Sequence, residues 1–178
     1  PGTYLAFLGR IAPEKGVEQA MAIAQQVGMP LKIAAKVDPK DREYFREVVQ
    51  PLLQQTSLVE YIGEVGGATK DAFLGEAAAL LFPIDWPEPF GLVMIEAMAC
   101  GTPVIAFRSG SVPEVIDEGV TGFVVDDEEQ AVQAVKRLGE LDRWRVGIAS
   151  SPGSTGSSSS PCSRWRAPRR PSRRTSAP

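Results

Sequence analysis

Trp86-Pro-Glu-Pro-Phe-Gly-Leu-Val-Met-Ile-Glu-Ala-Met-Ala-Cys-Gly-Thr-Pro-Val104 is the stretch from which the rest of the chain can be read. Between Phe90 and Ala99 it carries Leu92, Val93, Met94, Ile95, Ala97 and Met98, which predicts a helix apolar on nearly every side. A helix without a polar face belongs in the interior of a domain. Two carboxylates interrupt it, Glu88 just before the helix and Glu96 within it. A carboxylate taken out of water without a partner is costly, so each must meet a cation or hydrogen-bond donors. Those donors could belong to a ligand.

Outward from this segment, short apolar runs alternate with stretches of helical spacing. Strands are expected at residues 4–8, 31–35, 58–62, 79–82, 103–107 and 122–125. Helices are expected at 17–27, 41–53, 69–78, 90–99, 113–117 and 127–139, with Pro51 shortening or kinking the second and Gly66-Gly67 acting as a break. Strands bounded by glycine and alternating with helices predict a Rossmann-like α/β domain, a parallel sheet of about six strands with helices on both faces. Ligands in such sheets bind beyond the carboxyl ends of the strands. Those ends are the loops at 9–16, 36–40, 63–67, 85–91 and 108–110. No internal repeat is visible.

Composition narrows the function. The chain has 178 residues, 43% of them hydrophobic, and a formal net charge of −3. Six of its 19 basic residues, and none of its 22 acidic ones, lie after position 147, so the body is strongly acidic. That argues against nucleic-acid binding, which relies on lysine and arginine at phosphates. There is no histidine, which removes the Ser-His-Asp and Cys-His nucleophile arrangements and histidine metal sites. Two distant cysteines, Cys100 and Cys162, indicate neither a disulfide framework nor a zinc site, and fit a reducing compartment. No signal peptide or apolar run of membrane-spanning length is present, and the abrupt start predicts a fragment of a longer chain. Residues 1–147 read as the α/β domain. Residues 148–178, rich in Ser, Pro and Arg, read as a disordered tail, with a translated wrong reading frame or other artefact, and a basic arm, as rivals.

Two segments carry chemistry. Gly9-Arg10 … Lys15-Gly16 follows a strand and opens a helix, where free N–H groups and the helix dipole favour an anion. Its spacing matches neither the dinucleotide-binding glycine motif nor the P-loop. A bland reading pairs Arg10 with Glu14 and leaves Lys15 in solvent. Glu88 and Glu96, with seven residues between them, suit either acid/base work in a hydrolase or acceptance of hydrogen bonds from sugar and ribose hydroxyls. The bland reading makes Glu88 a helix cap and pairs Glu96 with a structural cation. Asp126-Asp127 directly precedes the last helix and reads as its N-cap, so no metal pair is assigned.

Gly9-Arg-x4-Lys-Gly16, Glu88-Pro-Phe-Gly-Leu-x3-Glu96-Ala-Met-Ala-x-Gly-Thr-Pro-Val104, Gly110-x2-Pro-Glu-Val115 and Gly119-x-Thr-Gly-Phe123 stand in one order. Together they closely resemble the C-terminal, nucleotide-sugar-binding domain of the retaining GT-B glycosyltransferases (family 4, "group 1"), over residues 4–146. The resemblance implies one half of a GT-B fold and transfer of a hexose from an NDP-sugar, most commonly a UDP-sugar, without a metal or other cofactor. It implies that Arg10 and Lys15 grip the diphosphate, Glu88 binds the donor sugar and Glu96 the ribose. Gly9 and the backbone of Pro89, Phe90, Gly91 and Leu92 would contact sugar and phosphates. Gly63 and Glu64 would border the base, and Lys36 would approach the phosphates. On this basis Arg10, Lys15 and Glu88 carry the catalytic roles. The family's N-terminal domain, which binds acceptor and supplies a histidine, has no counterpart here. Donor binding without turnover is therefore expected of this chain, in the cytoplasm, with any contact to the inner membrane face made through the other half. An epimerase-like half domain and a non-catalytic nucleotide-binding module are the alternatives.

Overall fold

Runs such as Leu5-Ala-Phe-Leu8 and Ala79-Leu-Leu-Phe82 are apolar without alternation, as strands covered on both faces require. The computed structural model describes residues 2–149. Its six strands are β1 Leu5–Arg10, β2 Leu31–Lys36, β3 Val59–Gly63, β4 Ala79–Phe82, β5 Val104–Phe107 and β6 Gly122–Val125. All pairings between them are parallel, in the order β3-β2-β1-β4-β5-β6. The chain winds outward from β1 to β3, returns to β4 beside β1, and winds outward the other way. This is the Rossmann-like α/β sheet of six parallel strands that the sequence predicts.

Period-two alternation divides the core between the two faces. Leu5 and Phe7 of β1 join Met21 and Ile23 of α1 (Val17–Val27) and Ala131 and Val135 of α7 (Glu128–Lys136) in one buried cluster. Tyr4 and Ala6 join a second cluster with Phe73 and Leu74 of α4 (Gly67–Glu76) and Met94 and Met98 of α5 (Leu92–Ala99). Val112 of the short α6 (Val112–Val115) and Val146 of α8 (Arg143–Ala149) complete it.

Three expectations need correction. The helix expected at 41–53 is divided into α2 (Arg42–Tyr44), a π turn at Phe45–Val49, and α3 (Gln50–Gln54). Pro51 has no N–H and its ring excludes the carbonyl four residues back; the widened turn ahead of α3 accommodates both. The Gly66-Gly67 pair does not break the chain before a helix at 69; Gly66 is the N-cap and Gly67 the first residue of α4. The third correction concerns α5, which is not wholly buried. Met94, Ala97 and Met98 face the sheet, whereas Leu92 and Ile95 are 67% and 40% exposed, beside Phe90 at 70% and Trp86 at 54%. Apolar composition alone does not say which surface covers a helix.

The expected domain edge at Gly147 falls inside α8. Arg143 of that helix donates to the carbonyls of Gly75 and Ala77, at 2.8 and 2.5 Å, and to Thr102 Oγ1 at 2.8 Å. It thereby satisfies the orphan carbonyls that end α4, and its burial lowers its pKa from the usual arginine range. The tail from residue 150 onward, with Cys162 and the six arginines, lies outside the described residues. At the start of α7, Asp127 Oδ1 accepts from the Gln130 N–H at 2.8 Å. Asp127→Ala should therefore lower stability by about 1 kcal/mol, read as a lower denaturant midpoint with an unchanged slope.

Candidate functional site

The β1–β4 ladder contains only Leu5↔Ala79 and Ala6↔Leu80, so the two strands part toward their carboxyl ends. The strand order reverses at this point, and in open α/β sheets such a switch point opens a crevice for ligand. The loops after β1 and β4 enter it together. Gly16, at φ 74°, lets its backbone approach Pro83 so closely that a Cβ would lie 1.9 Å from the Pro83 carbonyl oxygen. The Asp85 N–H donates to the Glu14 carbonyl at 2.9 Å, fixing the two loops to each other.

These loop contacts set the charges. Lys15, ending a 3-10 turn at Pro13–Lys15, places Nζ 2.9 Å from Glu88 Oε2. Arg10, the last residue of β1, meets Glu14 at 2.6 Å, Asp38 at 3.5 Å and Asp41 at 3.7 Å. Register explains the last two partners: Arg10 lies opposite Lys36, so the loop after β2 runs alongside the β1 loop. Glu14's own backbone N–H, and then Arg10, hold its carboxyl below the usual carboxylate range. The Asp41 Oδ2 atom is buried and accepts no hydrogen bond among the described residues. Arg10, Glu14, Lys15 and Trp86 line an open cleft of about 530 Å³.

The Glu88 loop is held from its other side as well. The Ser111 N–H donates to the Glu88 carbonyl at 2.9 Å, and Ser109 Oγ to the Trp86 carbonyl at 2.7 Å. Gly110, at φ 51°, passes so close to Glu88 that a Cβ would sit 2.5 Å from its backbone. Gly91, in the left-handed region at φ 61°, then turns the chain into α5, whose start no side chain caps. Glu88 is therefore not a helix cap. Glu96, within α5, places Oε1 2.6 Å from Lys70 Nζ of α4.

Of the residues singled out from sequence, Gly9 and Arg10 end β1, Lys15 follows on its loop, Glu88, Pro89, Phe90 and Gly91 stand on the loop after β4, and Leu92 opens α5. Lys36 ends β2, exposed, and pairs with Asp38 at 3.5 Å. Gly63 ends β3 at the far edge of the sheet, and Glu64 follows it, exposed. Among the described residues, no group of three or more carboxylates or cysteines is arranged to hold a metal ion. No described helix is long and apolar enough to cross a membrane.

Residues 2–145 match the sequence model of the "Glycosyl transferases group 1" family. The chain belongs to this family.

Among its relatives is an alpha-maltose-1-phosphate synthase from Mycolicibacterium smegmatis, 34% identical over 141 residues. The match covers 76% of this chain and 36% of that protein, so the chain spans about a third of the relative's length. The fold agrees with the C-terminal domain of the group 1 protein LpcC from Francisella tularensis, with TM-score 0.65 and 22% identity. That match covers 84% of this chain and 82% of the LpcC domain. Anabaena HepE, crystallised with UDP and glucose, superposes with TM-score 0.74 at 18% identity, over 84% of this chain and 43% of that one.

The sequence reading of this group 1 domain missed three things: Lys70, the Asp38 and Asp41 contacts of Arg10, and the brace of Ser109–Ser111 on the Glu88 loop. A lysine in the first turns of a helix that leaves the carboxyl end of a strand was the one signal for Lys70.

Proposed function

We propose that this domain is the donor-binding half of a retaining glycosyltransferase that uses a nucleoside diphosphate hexose, a UDP-sugar first among them. The observation that carries the reading is the Lys15–Glu88 pair, which joins a cation and a carboxylate from two loops at the strand-order switch. In the proposed complex Lys15 and Arg10 turn to the diphosphate, and the uncapped start of α5 adds its N–H groups and dipole. Glu88 then accepts hydrogen bonds from the sugar hydroxyls, and Glu96 from the ribose. As the bond from sugar to diphosphate breaks, these positive groups take up the charge on the leaving oxygen, which is electrostatic stabilisation of the transition state. No metal is assigned to that role.

Gly9 lets the backbone lie close to the phosphates, Lys36 borders them, and Gly63-Glu64 flanks the base. The HepE structure with UDP and glucose supports the choice of nucleotide by analogy. The exposed apolar group of Trp86, Phe90, Leu92 and Ile95 fits a second domain closing over the cleft. That domain would bring the acceptor site and the histidine this chain lacks, so this chain alone binds donor without turnover. The whole enzyme works in the cytoplasm.

Calorimetric titration with UDP, GDP and ADP tests the reading. UDP should bind, and Arg10→Ala should weaken it by about 1.5–3 kcal/mol as hydrogen bonds between charged groups are lost. A folded sample that binds none of the three nucleotides overturns the proposal.

A further inference from the structure

We propose that Lys70 is a positioning residue for Glu96 and thereby sets how strongly the domain distinguishes a ribose from a deoxyribose. This rests on the reading that Glu96 receives the ribose.

Glu96 stands on the partly exposed side of α5, its side chain 41% accessible. A glutamate there has three torsions to order and no neighbour on its own helix to hold it, because Leu92, one turn earlier, is exposed and apolar. The Lys70 ammonium supplies the constraint, 2.6 Å from Oε1. Such charge-assisted contacts are short and strong. An ionised carboxylate has acceptor sites on both oxygens, so with Oε1 held, Oε2 is left for a hydroxyl.

Lys70 can act as a fixed point because α4 is itself anchored. Tyr4 Oη donates to the Phe73 carbonyl at 2.6 Å, and Thr102 Oγ1 to the Leu74 carbonyl at 2.6 Å. Phe73 and Leu74 are buried in the cluster that contains Met94 and Met98 of α5. As a source of stability, an ion pair this open to water counts for little. Its effect is to restrict the Glu96 side chain to one orientation. The residue comes from α4, which connects β3 at one edge of the sheet to β4 beside β1.

The test titrates the full chain, and its Glu96→Gln, Lys70→Met and Lys70→Arg variants, with UDP and with 2′,3′-dideoxy-UDP, alongside thermal melts. The parent should prefer UDP by about tenfold or more, the effect of one hydrogen bond to a charged group. Glu96→Gln should abolish that preference. Lys70→Met should remove most of it by weakening UDP alone, leaving the dideoxy ligand and the melting temperature within about 2 °C unchanged. Lys70→Arg should restore it. If Glu96→Gln abolishes the preference and Lys70→Met does not, Lys70 has no positioning role. Tighter UDP binding by Lys70→Met would also overturn the proposal, because Lys70 would then compete with the ribose. If Glu96→Gln itself keeps the preference, the assignment of Glu96 to the ribose fails instead.

Discussion

Lys15→Met should weaken both UDP and UDP-glucose by about 2–3 kcal/mol, roughly 30- to 150-fold, whereas Glu88→Gln should separate the two ligands. The reasoning starts from the 2.9 Å pair that these residues make across the crevice. Their side chains are 25% and 20% accessible, so the pair is shielded enough to matter and open enough to exchange partners. Without Lys15, the diphosphate loses a charged donor and also faces an unopposed Glu88 carboxylate. Without the Glu88 charge, Lys15 is released to the phosphates, and the affinity for UDP should hold or rise. A sugar nucleotide loses its carboxylate acceptor in the same variant, at a cost of about 1.5–3 kcal/mol. The preference for UDP-glucose over UDP should therefore fall about tenfold or more. The Glu88 loop should keep its shape, since Ser111 and Gly110 hold its backbone rather than its carboxylate. Equal weakening of both ligands by Glu88→Gln, measured calorimetrically, would show that Glu88 only orders the loop. The double variant should be non-additive, because each residue's effect depends on the charge of the other.

How much of this was legible beforehand differs by level. All six strands were readable because a strand buried on both faces must be a continuous apolar run, and Leu5–Leu8 or Val104–Phe107 can be little else. The crevice followed from the alternation of strands and helices. What joined there did not. Lys15 and Glu88 are 73 positions apart, and only the return of β4 beside β1 brings them together. The carboxylates around Arg10 come from the register of β1 on β2, which no local pattern encodes. Arg10–Glu14 and Glu96 with a cation were the bland alternatives, and both ion pairs are present in the folded chain. Their presence leaves the ligand roles open to the titrations above, since a charge that binds a ligand needs a partner before the ligand arrives. The exposure of Leu92 and Ile95 was hidden for a different reason: hydropathy reports what a residue avoids, and not what covers it.

Gly16→Ala should be strongly destabilising, lowering stability by about 2–5 kcal/mol. Two terms add. Gly16 sits at φ 74° and ψ 32°, where an alanine costs about 1–2 kcal/mol. Its Cβ would also lie 1.9 Å from the Pro83 oxygen and 2.8 Å from the Pro83 carbonyl carbon, a backbone that no side-chain rotation can move aside. Forcing such an overlap costs about 1–3 kcal/mol or more through displacement of the surroundings. Gly28→Ala is the internal control. It has the same conformation, φ 68°, but nothing within 4 Å of the added carbon, so only the conformational term of about 1–2 kcal/mol applies. The difference between the two variants measures the close approach of the β1 and β4 loops. Gly16 both ends the turn that carries Lys15 and caps α1. A displaced loop should therefore carry Lys15 away from Glu88, so UDP affinity falls in Gly16→Ala and is retained in Gly28→Ala. Equal stabilities for the two variants, by chemical denaturation, would mean that the loops do not meet as described, and the assembled crevice would lose its structural basis.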